Sequence, residues 1–207
     1  MRSASSPGEL VRASLGLLCL TMTIACIGCA SQDNVRDAIT AINKEFQKEY
    51  EGILAEKGTR VVSASPGETF DAATAALVSL GMVVQQQSRG IGYLSAEAPA
   101  PTPLGREEWN RAAAADLPKA RDILRKHVGL LADFFQFEPQ GLDIVINVTI
   151  VEEGAGSAVA LTMRMREVAP PRSGLPRREY PPPSAVRIGL DTVFAALNRE
   201  LDRRRRS

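Results

Sequence analysis

The chain has 207 residues, of which 44% are hydrophobic and 24% are charged, and its 25 basic and 24 acidic residues nearly cancel. This composition is typical of an ordinary globular protein and excludes a disordered or fibrous chain. The balanced charge gives no reason to expect a nucleic acid partner. The length predicts one main domain.

Cysteine and histidine are too scarce to support thiol chemistry or a metal site in the body of the chain. Cys19, Cys26 and Cys29 all lie in the first 29 residues, so the remaining sequence has no disulfide, thiolate zinc site or cysteine nucleophile. The one histidine, His127, falls in a helical stretch, where we expect a packed or solvated side chain. We therefore expect no metal and no cofactor.

The N-terminal residues are typical of a secretory signal peptide, which we assign to residues 1–28. Arg2 and Arg12 flank a polar start, and residues 13–28 are mostly apolar and uncharged. This apolar run is shorter than the ~20 residues of a membrane-spanning helix, and no basic stop-transfer cluster follows it. We therefore expect a signal peptide and not a permanent transmembrane helix.

The apolar run ends in TIACIGCAS, which places small residues directly before a cysteine. This pattern resembles the lipobox of bacterial lipoproteins, in which the cysteine accepts a diacylglyceryl group and becomes the first mature residue. Cys29 is the preferred acceptor because Gly28 precedes it and polar sequence follows, and Cys26 is the alternative. The resemblance implies membrane anchoring through acyl chains such as palmitate. Ala30 after the cysteine then implies the periplasmic face of the outer membrane.

Residues 29–58 are predicted to form a lipid-anchored tether that contains an amphipathic helix. Apolar residues recur at helical spacing over residues 33–57, and Gly58 supplies a stop. The preferred interpretation is that this helix packs on its own domain. A membrane-proximal stalk or an oligomerising helix is the alternative.

The next part of the chain predicts a strand, a helix and a hairpin. Residues 60–64 read as a short strand, and Ser65 and Glu68 form a capping box with Pro66 at the first helical position. The helix should continue to about Leu80 and end at a left-handed Gly81. Strands over residues 82–86 and 91–96 then form a hairpin.

The second half predicts helices around another hairpin. After a connection at residues 98–105, we expect helices over residues 107–115 and 117–135, separated by Asp116 as a cap. The apolar face of the second helix consists of Ile123, Leu124, Val128, Leu131, Phe134 and Phe135. Apolar residues alternate with other residues on both sides of residues 154–156, which predicts an antiparallel hairpin with one core face and one wetter face. A final helix over residues 184–203 points back to the core.

Together these elements predict an α+β fold: a two-layer sandwich with an antiparallel sheet and helices on one face. The order is β-α-β-β-(αα)-β-β-α, preceded by the N-terminal amphipathic helix. The α+β domain spans residues 59–203, and residues 204–207 form a basic tail. The element order resembles that of helix-grip-like envelope lipoprotein domains, such as the C component of the outer-membrane barrel assembly machinery. The residue patterns of TFDAATAALVSLGMVV and GIGYL are similar to theirs as well. The resemblance implies a binding or assembly role and transfers no functional residue.

No catalytic motif is complete in this sequence. Gly90 and Gly92 begin like a dinucleotide-binding fingerprint, but Ser95 occupies the third glycine position and a second strand follows where a helix is required. Glu152 and Glu153 are adjacent carboxylates on a strand, so their side chains point to opposite faces and do not form an acid–base pair.

Basic residues form two candidate contact sites for an anionic lipid or an acidic envelope protein. Their members are Arg172, Arg177 and Arg178 in a proline-rich loop and Arg203, Arg204, Arg205 and Arg206 at the C-terminus. The alternative is a solvated loop and a tail that opposes the dipole of the last helix.

We therefore expect a lipid-anchored, non-enzymatic binding or assembly module of the periplasm whose small domain contacts another envelope component. The alternatives are an envelope enzyme with a carboxylate and arginine site that spacing does not reveal, and a structural tether that oligomerises through residues 33–57. The shape of the folded domain distinguishes the first two, because a deep polar pocket favours catalysis and an open sheet face favours binding.

Overall fold

The fold is described from a computed structural model that covers residues 31–169 and 175–206. The predicted signal peptide, the two candidate acceptors Cys26 and Cys29, and Arg172 lie outside these residues. From Gln32 onward the chain forms one compact unit.

Four helices and five strands make up this unit. The helices are α1 (Gln32–Lys57), α2 (Pro66–Ser79), α3 (Arg106–Val128) and α4 (Pro183–Arg206). The strands are β1 (Thr59–Val62), β2 (Val83–Ser88), β3 (Tyr93–Pro99), β4 (Leu142–Glu153) and β5 (Gly156–Glu167). Two short 3-10 helices, Arg89–Ile91 and Gly129–Phe134, follow β2 and α3.

All five strands form one antiparallel sheet in the order β1-β5-β4-β3-β2. The long β4–β5 hairpin pairs from Leu142 and Glu167 to Glu153 and Gly156, as the alternating sequence predicts. Gly154, with φ of 59°, makes the tight turn. The short β1 is added to the far side of β5, so the first and last strands in sequence lie side by side.

The hydrophobic core lies between the helices and one face of this sheet. Alternate residues of β4 point into it, and all of these are buried: Leu142, Ile144, Ile146, Val148 and Ile150. The predicted capping box starts α2, where Ser65 and Glu68 exchange hydrogen bonds, and α2 packs on the sheet and on α4. The predicted α+β class with helices on the sheet is confirmed.

Helix α1 packs against its own domain. Its apolar stripe, Ala38, Ile42, Phe46, Tyr50 and Ile53, is fully buried. The rings of Phe46 and Phe137 stack at 5.8 Å between centroids. On the surface, Lys119 of α3 forms salt bridges with Glu45 and Glu49 of α1. The stripe that we considered as an oligomerisation seam is therefore occupied within the domain.

The prediction of two helices separated at Asp116 is wrong. α3 is continuous because Trp109, Ala112, Ala120 and Leu124 form one buried stripe that extends past that position. Asp116 instead caps a different helix: its carboxylate accepts hydrogen bonds from the backbone N–H and the hydroxyl of Ser184 in the first turn of α4, both at 2.8 Å. Partial burial raises the pKa of Asp116, although these hydrogen bonds oppose the shift.

The predicted apolar face at the end of α3 is also wrong in part. The helix ends at Val128 because Gly129 adopts φ of 58°, which breaks the helical period. Leu131 and Phe134, expected in the core, are exposed. At the C-terminus α4 continues through Arg206, so residues 204–206 of the predicted tail are helical.

Candidate functional site

The sheet face opposite the helices is a broad surface that carries both polar and apolar side chains. Strand alternation and register place the following residues on it, and we call this set the open face: Val61, Val83, Tyr93, Glu97, Asp143, Val145, Asn147, Thr149, Val151, Thr162, Arg164 and Arg166. Its margins are exposed at Val61, Val83 and Val151, whereas its centre is half-buried. The predicted wetter face of the β4–β5 hairpin belongs to this surface.

A row of hydrogen-bonded polar side chains crosses the centre of the open face. The Tyr93 hydroxyl lies 3.2 Å from Asn147 Oδ1, and Asn147 Nδ2 donates to Thr162 Oγ1 at 3.3 Å. The row joins β3, β4 and β5 because Asn147 lies directly opposite Thr162 and next to Tyr93 along the diagonal. Alternation alone put Asn147 on the wetter side of β4, but only the register reveals its partners.

An arginine cluster lies beside this row. Arg166 Nη2 donates to Glu97 Oε2 at 2.7 Å and to Asp143 Oδ2 at 3.1 Å. The hydrogen bond that Arg166 donates to Asp143 and the charge of Glu97 raise the pKa of Arg166, so the guanidinium stays charged. Arg164 lies over the rings of Tyr50 and Tyr180, 5.5 and 5.1 Å from their centroids.

The chemistry of the open face suits recognition. Its carboxylates, Glu97 and Asp143, are both engaged by Arg166, which leaves neither as an isolated acid or base. The valines at the margin offer apolar contact, and the central amide and hydroxyl groups offer hydrogen bonds. A surface of this kind matches the mixed polar and apolar composition of protein interfaces.

A shallow depression of about 660 Å³ lies on the other side of the domain, between α2, β2 and the end of α4. Arg89 Nη1 donates to Asp71 Oδ1 at 2.7 Å, and Arg204 Nη2 donates to the backbone carbonyl of Asp71 at 3.3 Å. The charged groups of the depression thus hold α2, the β2–β3 turn and α4 together. This arrangement is structural.

Several of the predicted basic residues form contacts within the domain. Arg178 Nε donates to Glu167 Oε1 at 2.7 Å, and Arg205 Nη2 donates to the Ser63 carbonyl at 2.7 Å. Arg203 pairs with Glu200. Arg177 and Arg206 are exposed.

The two predicted basic sites do not come together. Arg178 lies at the end of β5 beside Glu167, whereas Arg205 contacts Ser63 near the start of β5, where Ser157 bonds to the Ala64 carbonyl. Ser157 and Glu167 are ten residues apart on one strand, which corresponds to about 33 Å. A single small anion cannot contact both sites.

Within residues 31–169 and 175–206, no three histidine, cysteine or carboxylate side chains gather as a metal-binding group. None of the helices in the described part of the chain is long and apolar enough to cross a membrane.

Neither a protein-family model nor a curated protein sequence matches the chain.

Proposed function

We propose that the chain is a lipid-anchored protein of the cell envelope whose α+β domain binds another envelope component, without catalysing a reaction. The observation that carries the binding role is the open face. It is a broad sheet surface with exposed valines at its margin and ordered polar groups at its centre, and its carboxylates are held by Arg166. Such a surface favours docking of a partner over turnover of a small substrate.

The anchor is proposed at Cys29, with Cys26 as the alternative. The support is the apolar signal-length run that ends in small residues before the cysteine. Several acyl chains on one cysteine hold a protein firmly, because each buried methylene contributes about 0.8 kcal/mol. By the same resemblance, the protein is placed at the periplasmic face of the outer membrane.

Substitution of the acceptor cysteine tests the anchor. We expect Cys29→Ser to prevent lipidation and release of the signal peptide, and Cys26→Ser to leave both unchanged. Mass spectrometry of the mature N-terminus and its acyl groups, in a two-membrane bacterial host, makes the measurement. The reverse pattern assigns the anchor to Cys26. An unmodified and uncleaved wild-type chain contradicts the proposal.

Photo-crosslinking tests the binding role of the open face. A photoreactive residue in place of Val151 should give discrete adducts in intact envelopes, because this side chain lies at the margin of the proposed docking surface. Val78 on α2 is the matched control, because it is 57% exposed and Val151 is 53% exposed. Adducts that form equally at both positions, or at neither position in correctly localised protein, overturn the open face as the binding site.

A further inference from the structure

The 3-10 helix Gly129–Phe134 presents three large apolar side chains to solvent. Leu130 is 79% exposed, Leu131 41% and Phe134 82%. Single exposed apolar residues are common on soluble proteins, whereas a cluster of them within one turn marks a contact surface. We call Leu130, Leu131 and Phe134 the apolar turn.

The apolar turn is held in place by its neighbours. Ala132, between its members, is buried in the core. Arg125 Nη2 donates to Asp133 Oδ1 at 2.7 Å, and Arg121 Nη2 donates to the Phe135 carbonyl at 3.1 Å. These contacts from α3 fix the turn on both sides, so its side chains are presented outward by a defined backbone.

The packing of α1 and α3 places the apolar turn near the start of α1. Lys119 contacts Glu45 and Glu49, and the charge of Lys126, two turns further along α3, also reaches Glu45. The two helices therefore run in opposite directions. α3 extends nine residues beyond Lys119, to Val128. At 1.5 Å per residue in both helices, Val128 lies level with Ala38 on α1, which is about 9 Å along the helix from Gln32.

The length of the chain before α1 brings the proposed anchor close to this turn. Cys29 precedes Gln32 by three residues, which span at most about 11 Å when fully extended. Measured along the axis of α1, a lipid on Cys29 therefore lies at most roughly 20 Å from the level at which α3 ends and the apolar turn begins. At this distance a modest tilt of α1 brings the turn into contact with the membrane.

We infer that Leu130, Leu131 and Phe134 insert into the outer part of the bilayer that carries the anchor. The inference rests on the proposed lipidation of Cys29. The apolar turn then acts as a second membrane contact and gives the domain a defined orientation on the bilayer.

A lipid surface fits the apolar turn better than a protein does. Three side chains bury roughly a few hundred Å² of surface, whereas a stable protein interface buries about 1,000 Å² or more in total. Aromatic and aliphatic side chains of this kind penetrate the headgroup region by about 5–10 Å. All three side chains of the apolar turn are uncharged, so their burial does not require anionic lipid and should persist at high salt.

Single-cysteine labelling tests the insertion in the full acylated protein. All three natural cysteines precede residue 30, and lipidation blocks the one that remains after cleavage. Phe134→Cys therefore gives a unique site for an environment-sensitive fluorophore, and Ile91→Cys, at 73% exposure on the β2–β3 turn, is the matched control. The labelled proteins are reconstituted into neutral phosphatidylcholine vesicles.

On reconstitution, we expect quenching of the label at position 134 by a water-soluble quencher to fall severalfold and quenching by a lipid-linked quencher to rise. The label at position 91 should show neither change. Equal accessibility at the two positions, in protein that floats with the vesicles, overturns the insertion and leaves the anchor intact. Wild-type protein that does not float overturns the anchor, and with it the insertion. Wild-type protein that floats and reacts with the thiol reagent assigns the anchor to Cys26 and overturns the inference argued from Cys29.

A second variant separates insertion from simple proximity. With the label at Leu130→Cys, the added substitution Phe134→Ser should shift the insertion equilibrium toward water by roughly one to two orders of magnitude, the value of burying one aromatic side chain. Ile91→Ser is the control and should leave the insertion equilibrium unchanged. If quenching of the label at position 130 is unchanged by Phe134→Ser, insertion of the turn is contradicted.

Discussion

Replacing Trp109 with alanine is expected to lower the free energy of unfolding by about 3–5 kcal/mol. The side chain is 1% exposed and is the largest one buried in the described core. Its indole Nε1 donates to the Phe137 carbonyl at 3.0 Å, which ties α3 to the segment that leads into β4. The alanine variant therefore leaves a cavity and removes the donor of a partly buried carbonyl.

Trp109→Phe separates these two contributions. Phenylalanine keeps much of the ring volume but has no N–H, so we expect a loss of about 0.5–1.5 kcal/mol, the net contribution of one hydrogen bond. Both variants are compared with wild type by circular dichroism in a denaturant series, because Trp109 is the only tryptophan and its fluorescence disappears with it. A Trp109→Ala loss below about 1 kcal/mol, the level of a surface change, contradicts the central position of this residue.

Local patterns in the sequence predicted the parts of the fold that depend on neighbours along the chain. The capping box at Ser65 and Glu68 involves residues three apart, and the structure contains it as predicted. The β4–β5 hairpin follows from an apolar period of two on both sides of a glycine turn. Each of these signals is contained in a short stretch of sequence.

The sequence did not predict the features that depend on distant residues. Asp116 looks like the cap of a helix that follows it, and it is a cap, but the helix is α4, 68 residues away in the chain. The pairing of β1 with β5 likewise joins the two ends of the domain, and no local pattern specifies it. Gly129 changes the direction of the chain at a single residue, and this turns Phe134 from a predicted core side chain into an exposed one.

The candidate surfaces show the same division. Alternation along β4 identified which residues avoid the core, and these residues contribute to the open face. It did not identify the contact of Asn147 with Tyr93 and Thr162, which requires the register of three strands. The predicted arginine sites rest on charge alone, and in the structure Arg178 and Arg205 form contacts within the domain.

Two helical glycines should respond to alanine in opposite directions. In Gly52→Ala the new methyl group has no atom within 4 Å outside its own helix, so we expect the free energy of unfolding to rise by about 0.5–1 kcal/mol, the difference in helix propensity. In Gly189→Ala the methyl group points directly at the Met163 sulfur and lies 3.3 Å from Leu104 Cδ1. Because Met163 is fully buried, we expect a decrease of about 1–3 kcal/mol.

The pair isolates packing from backbone propensity, because both substitutions make the same chemical change inside an α-helix. Chemical denaturation followed by Trp109 fluorescence measures both variants, and the slopes should match that of wild type. Gly189→Ala combined with Met163→Ala should cost less than the sum of the two single changes, since the shortened side chain makes room for the methyl group. Additive losses, or a stabilising Gly189→Ala, would show that α4 does not approach the sheet as closely at Gly189 as the contact with Met163 requires.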